Sequence, residues 1–234
     1  MKTKNKGFSS DDWLLALSVI YGVIAVTMNI FCMKSLSFGT SRIICDGGLL
    51  ISWGVFLISN VIVEVWDEKT SARVVTVTAF VVFAIMVIGR LIVFIPTLPE
   101  YENQALAFAR IFSNGPRTII ASVSAFWAGN LINVHIIGKM KKFWERRGTD
   151  SKSGFFFRAA FSTLVGQLAD NALFMALAFA PIGLSVYEMA WFDIMTSIFA
   201  GTIIELAVES LLVPFITIPL VRRIKSVKTK EASV

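Results

Sequence analysis

Long uncharged stretches alternate with short charged segments along the chain. A helix needs roughly 20 apolar residues to cross a bilayer, and six stretches approach or exceed that length. The pattern predicts an all-α integral membrane protein with six spans, at about 13–33, 47–65, 74–96, 116–138, 159–187 and 194–221. Because the connections are too short to hold a core of their own, residues 1–234 are predicted to form a single transmembrane domain.

The composition also favours a membrane location. Hydrophobic residues make up 56% of the chain and charged residues 16%, whereas a soluble domain has about 25% charged residues. Two cysteines and one histidine are too few for a disulfide framework or a multi-histidine metal site. The sequence has no nucleotide-binding loop and no zinc-hydrolase motif. We therefore expect no cofactor and no enzymatic activity.

Positive charge is concentrated on one side of the predicted bundle. The N-terminal tail, the second connection, residues 139–158 and the tail after Val221 carry 17 of the 22 Lys and Arg residues. By the positive-inside rule this side faces the cytoplasm, so both termini are expected there. The 21 uncharged residues from Trp13 to Met33 are too many for a signal peptide. The chain is expected to be a multi-pass protein of the inner (plasma) membrane, whose basic clusters meet lipid and not nucleic acid.

The fifth predicted span carries a polar face. Gln167, Asp170 and Asn171 are three and four residues apart, so they share one side of a helix. A charge in the middle of a span costs roughly 2.5–3.5 kcal/mol on insertion scales, whereas uncharged side chains can join helices by hydrogen bonds. The pattern therefore favours a ligand or ion site over a structural patch.

The fourth predicted span has a matching stripe, formed by Ser122, Phe126, Asn130 and Asn133. Ser122 lies about 9 Å from the outer end of its span and Asp170 about 18 Å from the inner end. In a core of roughly 30 Å the two are expected at similar depth. A carboxylate, amides, a hydroxyl and an aromatic ring suit a planar ligand that stacks and forms hydrogen bonds. For Phe126 and its neighbour Trp127, plain packing is the alternative.

Three further ionisable residues lie within or beside the spans. Arg117 opens the fourth span, where it can extend outward or pair with Asp170. Glu205 and Glu209 are one turn apart in the sixth span. They are interpreted as part of the site or a proton relay, and the alternative is pairing with Arg90 or Arg117.

Other positions have more local interpretations. Glu64 ends the second span on the cytoplasmic side, where a solvated carboxylate is expected. Pro214 and Pro219 are expected to kink or end the sixth span. Ser18 and Gly22 form a pair of small residues one turn apart, which is typical of a helix contact face.

Two stretches carry a family resemblance. They are Asn114-Gly-Pro-Arg-Thr-Ile-Ile-Ala-Ser122, followed by Ala125-Phe126-Trp127, and Gly166-Gln-Leu-Ala-Asp-Asn-Ala-Leu-Phe174. With Asn29 and Glu64 they resemble the motifs of the queuosine-precursor transporters, the vitamin-uptake-transporter family of bacterial and archaeal inner-membrane proteins. The likeness extends from Asn29 to about Lys225.

The resemblance implies uptake of a 7-deazaguanine base, the cyano or aminomethyl precursor or queuine, for queuosine synthesis in tRNA. It carries Arg117, Ser122, Gln167 and Asp170 over as site residues. The paired donors of a guanine-like edge, N1–H and the 2-amino group, suit the carboxylate of Asp170. Gln167 and Asn130 suit O6 or ring nitrogens, and Phe126 or Trp127 is expected to stack.

Three departures from the family pattern point to a related 7-deazapurine as an alternative substrate. Asn133 stands in place of an aspartate, Gly166 replaces a serine, and residues 63–67 read Val-Glu-Val-Trp-Asp instead of Ser-Glu-x-Tyr-Gly.

The leading hypothesis is a solitary transporter without an ATPase of its own, and other functions compete with it. The second hypothesis is the substrate-capture subunit of an energy-coupling-factor importer, which has a similar six-helix fold, with Ser18 and Gly22 docking on a shared ATPase module. An intramembrane enzyme is disfavoured because peptidase and hydrolase motifs are missing. A purely structural protein leaves Asp170 and Glu205 unexplained. A homodimer remains open.

Overall fold

The computed structural model describes residues 8–32, 34–37, 44–112, 116–148, 152–182 and 188–233. In these ranges the chain forms eight α-helices and one short antiparallel hairpin. The helices are α1 (Ser10–Phe31), α2 (Leu49–Val65), α3 (Glu68–Val93), α4 (Glu102–Phe112), α5 (Pro116–Arg146), α6 (Lys152–Phe179), α7 (Trp191–Leu212) and α8 (Ile218–Ala232). The strands are β1 (Ser35–Ser37) and β2 (Ile44–Asp46).

Five helical segments are long and apolar enough to cross a membrane. They are α1, α3, α5, α6 and the continuous helix formed by α7 and α8. The prediction of an α-helical membrane protein is thus confirmed. The second predicted span is the shorter helix α2, whose 17 residues extend roughly 26 Å.

Helix α2 occupies the centre of the bundle. Every residue from Gly54 to Val65 is buried, and α1, α3, α5 and α7 all pack against it. Most of its side chains are apolar, which suits such a position because all its sides contact other helices.

Several helix ends differ from their predicted positions. Helix α3 begins six residues before the predicted 74, because the side chain of Asp67 accepts a hydrogen bond from the backbone N–H of Thr70 and caps the helix. Helix α6 ends at Phe179 and not near 187, two residues before Pro181. Helix α5 continues to Arg146. Charged turns extend α3 and α5 beyond the apolar stretches that predicted the spans.

The prolines of the last span do not end it. A π-helical turn at Val213–Thr217, which contains Pro214, joins α7 to α8. A proline cannot donate the usual backbone hydrogen bond and crowds the preceding turn. The wider π turn accommodates this disruption, so the helix runs on to Ala232.

Two elements were not predicted. The hairpin follows α1, and a 3-10 turn at Pro99–Tyr101 leads into α4. Helix α4 packs on α3, where the ring of Phe112 covers Gly89. The hairpin and α4 are both shorter than the roughly 20 apolar residues that predict a membrane span.

The start of α1 and the end of α8 meet at one end of the bundle. The backbone N–H of Ser10 donates to Oε1 of Glu231 at 3.0 Å, which joins the start of α1 to the end of α8. Beside them, Glu64 of α2 contacts Arg158 of α6 and Lys225 of α8. We call this the basic end.

Candidate functional site

Helices α5 and α6 cross at two glycines. A Cβ atom on Gly129 would lie 2.6 Å from Cβ of Asp170 and 2.8 Å from the carbonyl oxygen of Gly166. A Cβ atom on Gly166 would lie 2.7 Å from Cβ of Asn133. Only glycine permits this close approach of two backbones. The crossing therefore sets the level of Asp170 against α5, and it makes Asn133 and Gly166 direct neighbours.

This register corrects the expected depth of Ser122. Asp170 lies opposite Gly129, and Ser122 is seven residues earlier on α5. At 1.5 Å per residue, Ser122 lies roughly 10 Å further from the basic end. Its hydroxyl donates to Oδ1 of Asn29 on α1 at 2.6 Å. Ser122 and Asp170 therefore do not lie at similar depth.

Gln167 is the most unusual polar residue at the crossing. Its side chain is fully buried, and neither Nε2 nor Oε1 has a hydrogen-bond partner among the described residues. A buried amide without partners costs about 1–3 kcal/mol per unsatisfied group. Asp170, one turn further along α6, is half-buried and close enough to Tyr21 to interact electrostatically.

Asn130 and the aromatic residues complete this layer. The hydroxyl of Tyr21 donates to Oδ1 of Asn130 at 3.0 Å, and the rings of Tyr21 and Phe126 are 6.0 Å apart. Phe126 is buried. Trp127 is exposed and its Nε1 donates to Oγ1 of Thr76 on α3 at 3.2 Å. Of the two rings considered for stacking, Phe126 faces the interior.

A second polar layer lies nearer the basic end. Nδ2 of Asn133 donates to Oγ of Ser59 at 3.1 Å and to Oδ1 of Asn60 at 2.9 Å. Asn60 and Thr163 both donate to Oε1 of Glu209, at 3.1 and 2.8 Å. Glu209 is thus held by neutral side chains of α2 and α6, and not by Arg90 or Arg117 as the alternative interpretation expected.

Asn171 faces α7 and not α5. Its Nδ2 donates to Oγ1 of Thr202 at 3.0 Å and to Oε2 of Glu205 at 3.2 Å. The hydroxyl of Ser52 on α2 donates to the other oxygen of Glu205. The polar face of α6 is therefore shared between two neighbours, with Asp170 against α5 and Asn171 against α7.

Arg117 binds the end of α6 and not Asp170. Its Nε donates to the carbonyl oxygen of Leu177 at 2.6 Å and its Nη2 to that of Ala180 at 2.9 Å. Nη1 lies 4.0 Å from Oε1 of Glu188. The last carbonyls of a helix lack partners within the helix, so Arg117 caps α6.

Glu64 is not solvated. Its side chain is 4% exposed, and its carboxylate accepts from Nη2 of Arg158 at 3.0 Å and from Nζ of Lys225 at 2.5 Å. Arg158 is itself fully buried. Lys141 of α5 donates to the carbonyl oxygens of Val63 and Glu64. This cluster ties four helices together at the basic end.

Sequence reasoning missed several polar residues that complete these layers. They are Tyr21, Ser52, Ser59, Asn60, Thr163 and Thr202. Asn60 offered a signal, because an amide within the uncharged stretch 47–63 needs a partner inside the membrane. Serine and threonine offered none, since they also bond their own helix backbone.

Two grooves lie apart from the polar layers. One, of about 660 Å³, runs between α1 and α3 and is lined by valines together with Ser18, Gly22, Thr27, Arg73 and Thr78. The other, of about 390 Å³, lies between α3 and α5 beside Glu68 and His135, whose side chains are 2.8 Å apart.

The sequence matches one family model. Residues 46–218, about three quarters of the chain, match the family model described as "Putative vitamin uptake transporter". No curated protein and no solved structure is significantly similar to the chain. The matched range includes α2 to α7 and thus Glu64, Arg117, the glycine crossing, Gln167, Asp170 and both buried glutamates. The chain therefore belongs to the vitamin uptake transporter family.

Proposed function

We propose that this transporter imports a 7-deazaguanine-type queuosine precursor, or a related 7-deazapurine base, for tRNA modification. The observation that carries the proposal is the buried carboxamide of Gln167, with no partner for either polar atom among the described residues. Buried polar groups are almost always satisfied, so a bound ligand is the natural partner. The second support is the motif resemblance around Arg117 and Asp170.

The layer at the glycine crossing suits a guanine-like edge. The carboxylate of Asp170 accepts the N1–H and 2-amino donors together, which is the charge-assisted, paired arrangement that binds most strongly. Gln167 supplies a donor for O6 and an acceptor for a ring N–H. Phe126 supplies the aromatic face, and Asn130 sets the edge of the site through its bond with Tyr21.

The remaining candidates act around this layer. Ser122, Asn133, Asn171 and Glu205 are already bonded to neighbouring helices, so their role is to shape the site and exchange partners when the base binds. Arg117 and Glu64 hold the helix ends at opposite sides of the bundle. We assign them positioning roles.

The topology in the membrane belongs to the same proposal. Helix α2 crosses the membrane as well and brings the number of spans from five to six, because roughly 26 Å of apolar helix is close to the thickness of the hydrocarbon core. The start of α1 and the end of α8 lie together at the basic end, where Ser10 contacts Glu231. With the positive-inside rule, this contact supports cytoplasmic termini in a protein of the inner membrane.

The test is rescue of tRNA queuosine in cells that lack both precursor synthesis and their own transporter. Wild type, Asp170→Asn and the control Asp193→Asn, whose carboxylate is exposed in the first turn of α7, are compared at nanomolar external base. We expect rescue by wild type and by Asp193→Asn. Asp170→Asn should lose at least tenfold in uptake, because its amide accepts only one of the two donors.

Two results would overturn the proposal in different ways. Uptake by Asp170→Asn equal to that of wild type would remove the carboxylate from the site. Lack of rescue by well-expressed wild type, with each of the three bases, would reject this substrate class.

A second candidate is the substrate-capture subunit of an energy-coupling-factor importer. The observation that favours it is the open groove beside Gly22, where an added Cβ would meet nothing within 4 Å. A partner helix could dock there through small residues. Co-purification with ATPase subunits, lost in Gly22→Leu, would support this candidate, and activity of the protein alone in liposomes would reject it.

A further inference from the structure

Glu209 is a buried carboxyl group that the proposed binding of the base does not use. It lies on α7, is 1% exposed, and its Oε1 accepts hydrogen bonds from Asn60 and Thr163. Its Oε2 is buried and has no hydrogen-bond partner in the described part of the chain. The two oxygens of this carboxyl group therefore differ in their hydrogen bonding, with two donors on Oε1 and no described partner on Oε2.

The hydrogen bonds around Glu209 run in one direction. Asn133 donates to Oδ1 of Asn60, and Asn60 in turn donates through Nδ2 to Glu209. The hydroxyl of Thr163 also donates to Oε1. Two donors converge on Oε1 and none of the described residues reaches Oε2, so a proton can bind Oε2 without displacing either hydrogen bond.

The same direction argues against a metal cation at this place. An amide nitrogen has hydrogens and no free lone pair, so Asn60 presents Glu209 with a group that repels a cation. A sodium site would require the oxygen of Asn60, which is already bonded to Asn133.

None of the ionisable side chains near Glu209 that are described below gives it a positively charged partner. Of the acids, Glu205 lies one turn away on α7, and Asp170 lies nearly two turns beyond Thr163 on α6. Arg158 of α6 and Lys225 of α8 contact Glu64, one turn from Asn60 on α2.

An ionised Glu209 would therefore be a buried charge held only by neutral groups, next to a second acid. Such a charge is among the most expensive features of a membrane interior. Protonation removes that cost without any change in packing.

We propose that Glu209 is a proton-binding site and that import of the base is coupled to proton entry. One proton from water on the outer side binds the carboxylate and forms the O–H bond on Oε2, and the neutral carboxyl group then carries it. When the basic end opens to water, the O–H bond breaks and the proton passes to water on that side. The coupling to a base rests on the proposed function, whereas the proton site itself does not.

The first experiment tests the site without substrate. Infrared difference spectra between acidic and alkaline lipid-reconstituted protein report the C=O band of protonated buried carboxyl groups. We expect one such band in wild type and in the exposed control Glu102→Gln, and its loss in Glu209→Gln, which keeps the carbonyl oxygen for Asn60 and Thr163. An unchanged band in Glu209→Gln, or no band in wild type, would overturn the proposal.

The second experiment tests coupling in proteoliposomes at zero membrane potential, with 7-cyano-7-deazaguanine as the probe. A gradient of one pH unit, acidic outside, should drive up to about tenfold accumulation if one proton enters per base. Glu209→Gln should exchange labelled base across the membrane but not accumulate it, and Glu102→Gln should behave like wild type.

The outcomes separate the two proposals. Accumulation by Glu209→Gln equal to that of wild type, or accumulation driven by sodium and not by protons, would overturn proton coupling while base transport stands. If wild type exchanges no base but the infrared band is lost in Glu209→Gln, the substrate proposal fails and the proton site stands.

Discussion

Two buried polar clusters in this bundle are built in opposite ways. At the basic end, Glu64 is bound by Arg158 and Lys225 at 3.0 and 2.5 Å. At the glycine crossing, Gln167 is equally buried, and its carboxamide has no partner among the described residues. The first cluster compensates its charges within the fold. The second leaves hydrogen-bonding capacity that no described residue uses.

The comparison shows how structural and functional polar groups can be separated in a membrane protein. Burial alone does not distinguish them, because Glu64 and Gln167 are both nearly inaccessible. The partners of the two side chains do, since both carboxylate oxygens of Glu64 are bonded, whereas neither polar atom of Gln167 is bonded within the described residues and an unmatched group costs stability. Such a cost is retained where ligand binding recovers it.

The largest expected effect comes from breaking the charge cluster. Arg158→Met should lower the free energy of unfolding by about 3–5 kcal/mol, because the buried carboxylate of Glu64 loses its buried partner. Thermal unfolding in detergent measures the loss. The control is Lys225→Met, whose side chain is 44% exposed and whose removal should cost about 1 kcal/mol or less.

The double variant sharpens this test. Glu64→Leu combined with Arg158→Met should recover most of the lost stability, because an apolar pair replaces a buried ion pair at little cost. A double variant as unstable as Arg158→Met alone would show that packing, and not charge, explains the effect.

A smaller loss is expected from separating the helices at the crossing. Gly129→Val adds a side chain where even Cβ would lie 2.6 Å from Cβ of Asp170, so α5 and α6 must move apart, at a cost of about 1–3 kcal/mol. Base binding should fall with it. Gly22→Val on α1 is the matched control, since nothing lies within 4 Å of its Cβ position, and equal losses in the two would contradict the close-contact explanation.

Gln167→Leu should show the reverse of Arg158→Met. Replacing an unsatisfied buried amide with an apolar side chain should leave stability unchanged or raise it by about 1–3 kcal/mol, while base binding is lost. Scintillation binding and thermal unfolding on the same sample measure both. Gln104→Leu, on the exposed surface of α4, should change neither. A strong loss of stability in Gln167→Leu would make Gln167 a structural residue.

The smallest effect is expected at the two neighbouring rings. Trp127→Phe removes one exposed hydrogen bond to Thr76, so stability should change by about 1 kcal/mol or less and uptake should stay at the wild-type level. Phe126→Leu, at the buried position, should weaken binding of the base. If Trp127→Phe reduces uptake more than Phe126→Leu, the stacking roles are reversed.

The apolar pattern predicted the helical membrane architecture because each spanning helix must satisfy its own backbone. It could not place the helix ends, since the charged turns of α3, α5 and α6 continue the helices beyond the apolar stretches. It also missed α4 and the hairpin, which are too short to be read from hydropathy.

For the candidate site, spacing within one helix was informative and spacing between helices was not. Gln167 and Asp170 were identified from their intervals on α6. The level of α5 against α6 depends on the contact of Gly129 and Gly166, and no periodicity in either helix contains that information. The same reason explains why Ser122 was placed too near Asp170 and why Arg117 was considered as its partner.

The sequence by itself determined the membrane location, the family and the concentration of positive charge on one side, because these follow from composition, motifs and the order of the helices. The tertiary structure decided which polar groups meet: Arg158 with Glu64, Asn60 with Glu209, and nothing among the described residues with Gln167. Local sequence sets which polar side chains lie on each face of a helix, but the packing of the helices sets which partner each of them meets. In this protein that matching separates the groups that hold the fold from those proposed to bind the base and the proton.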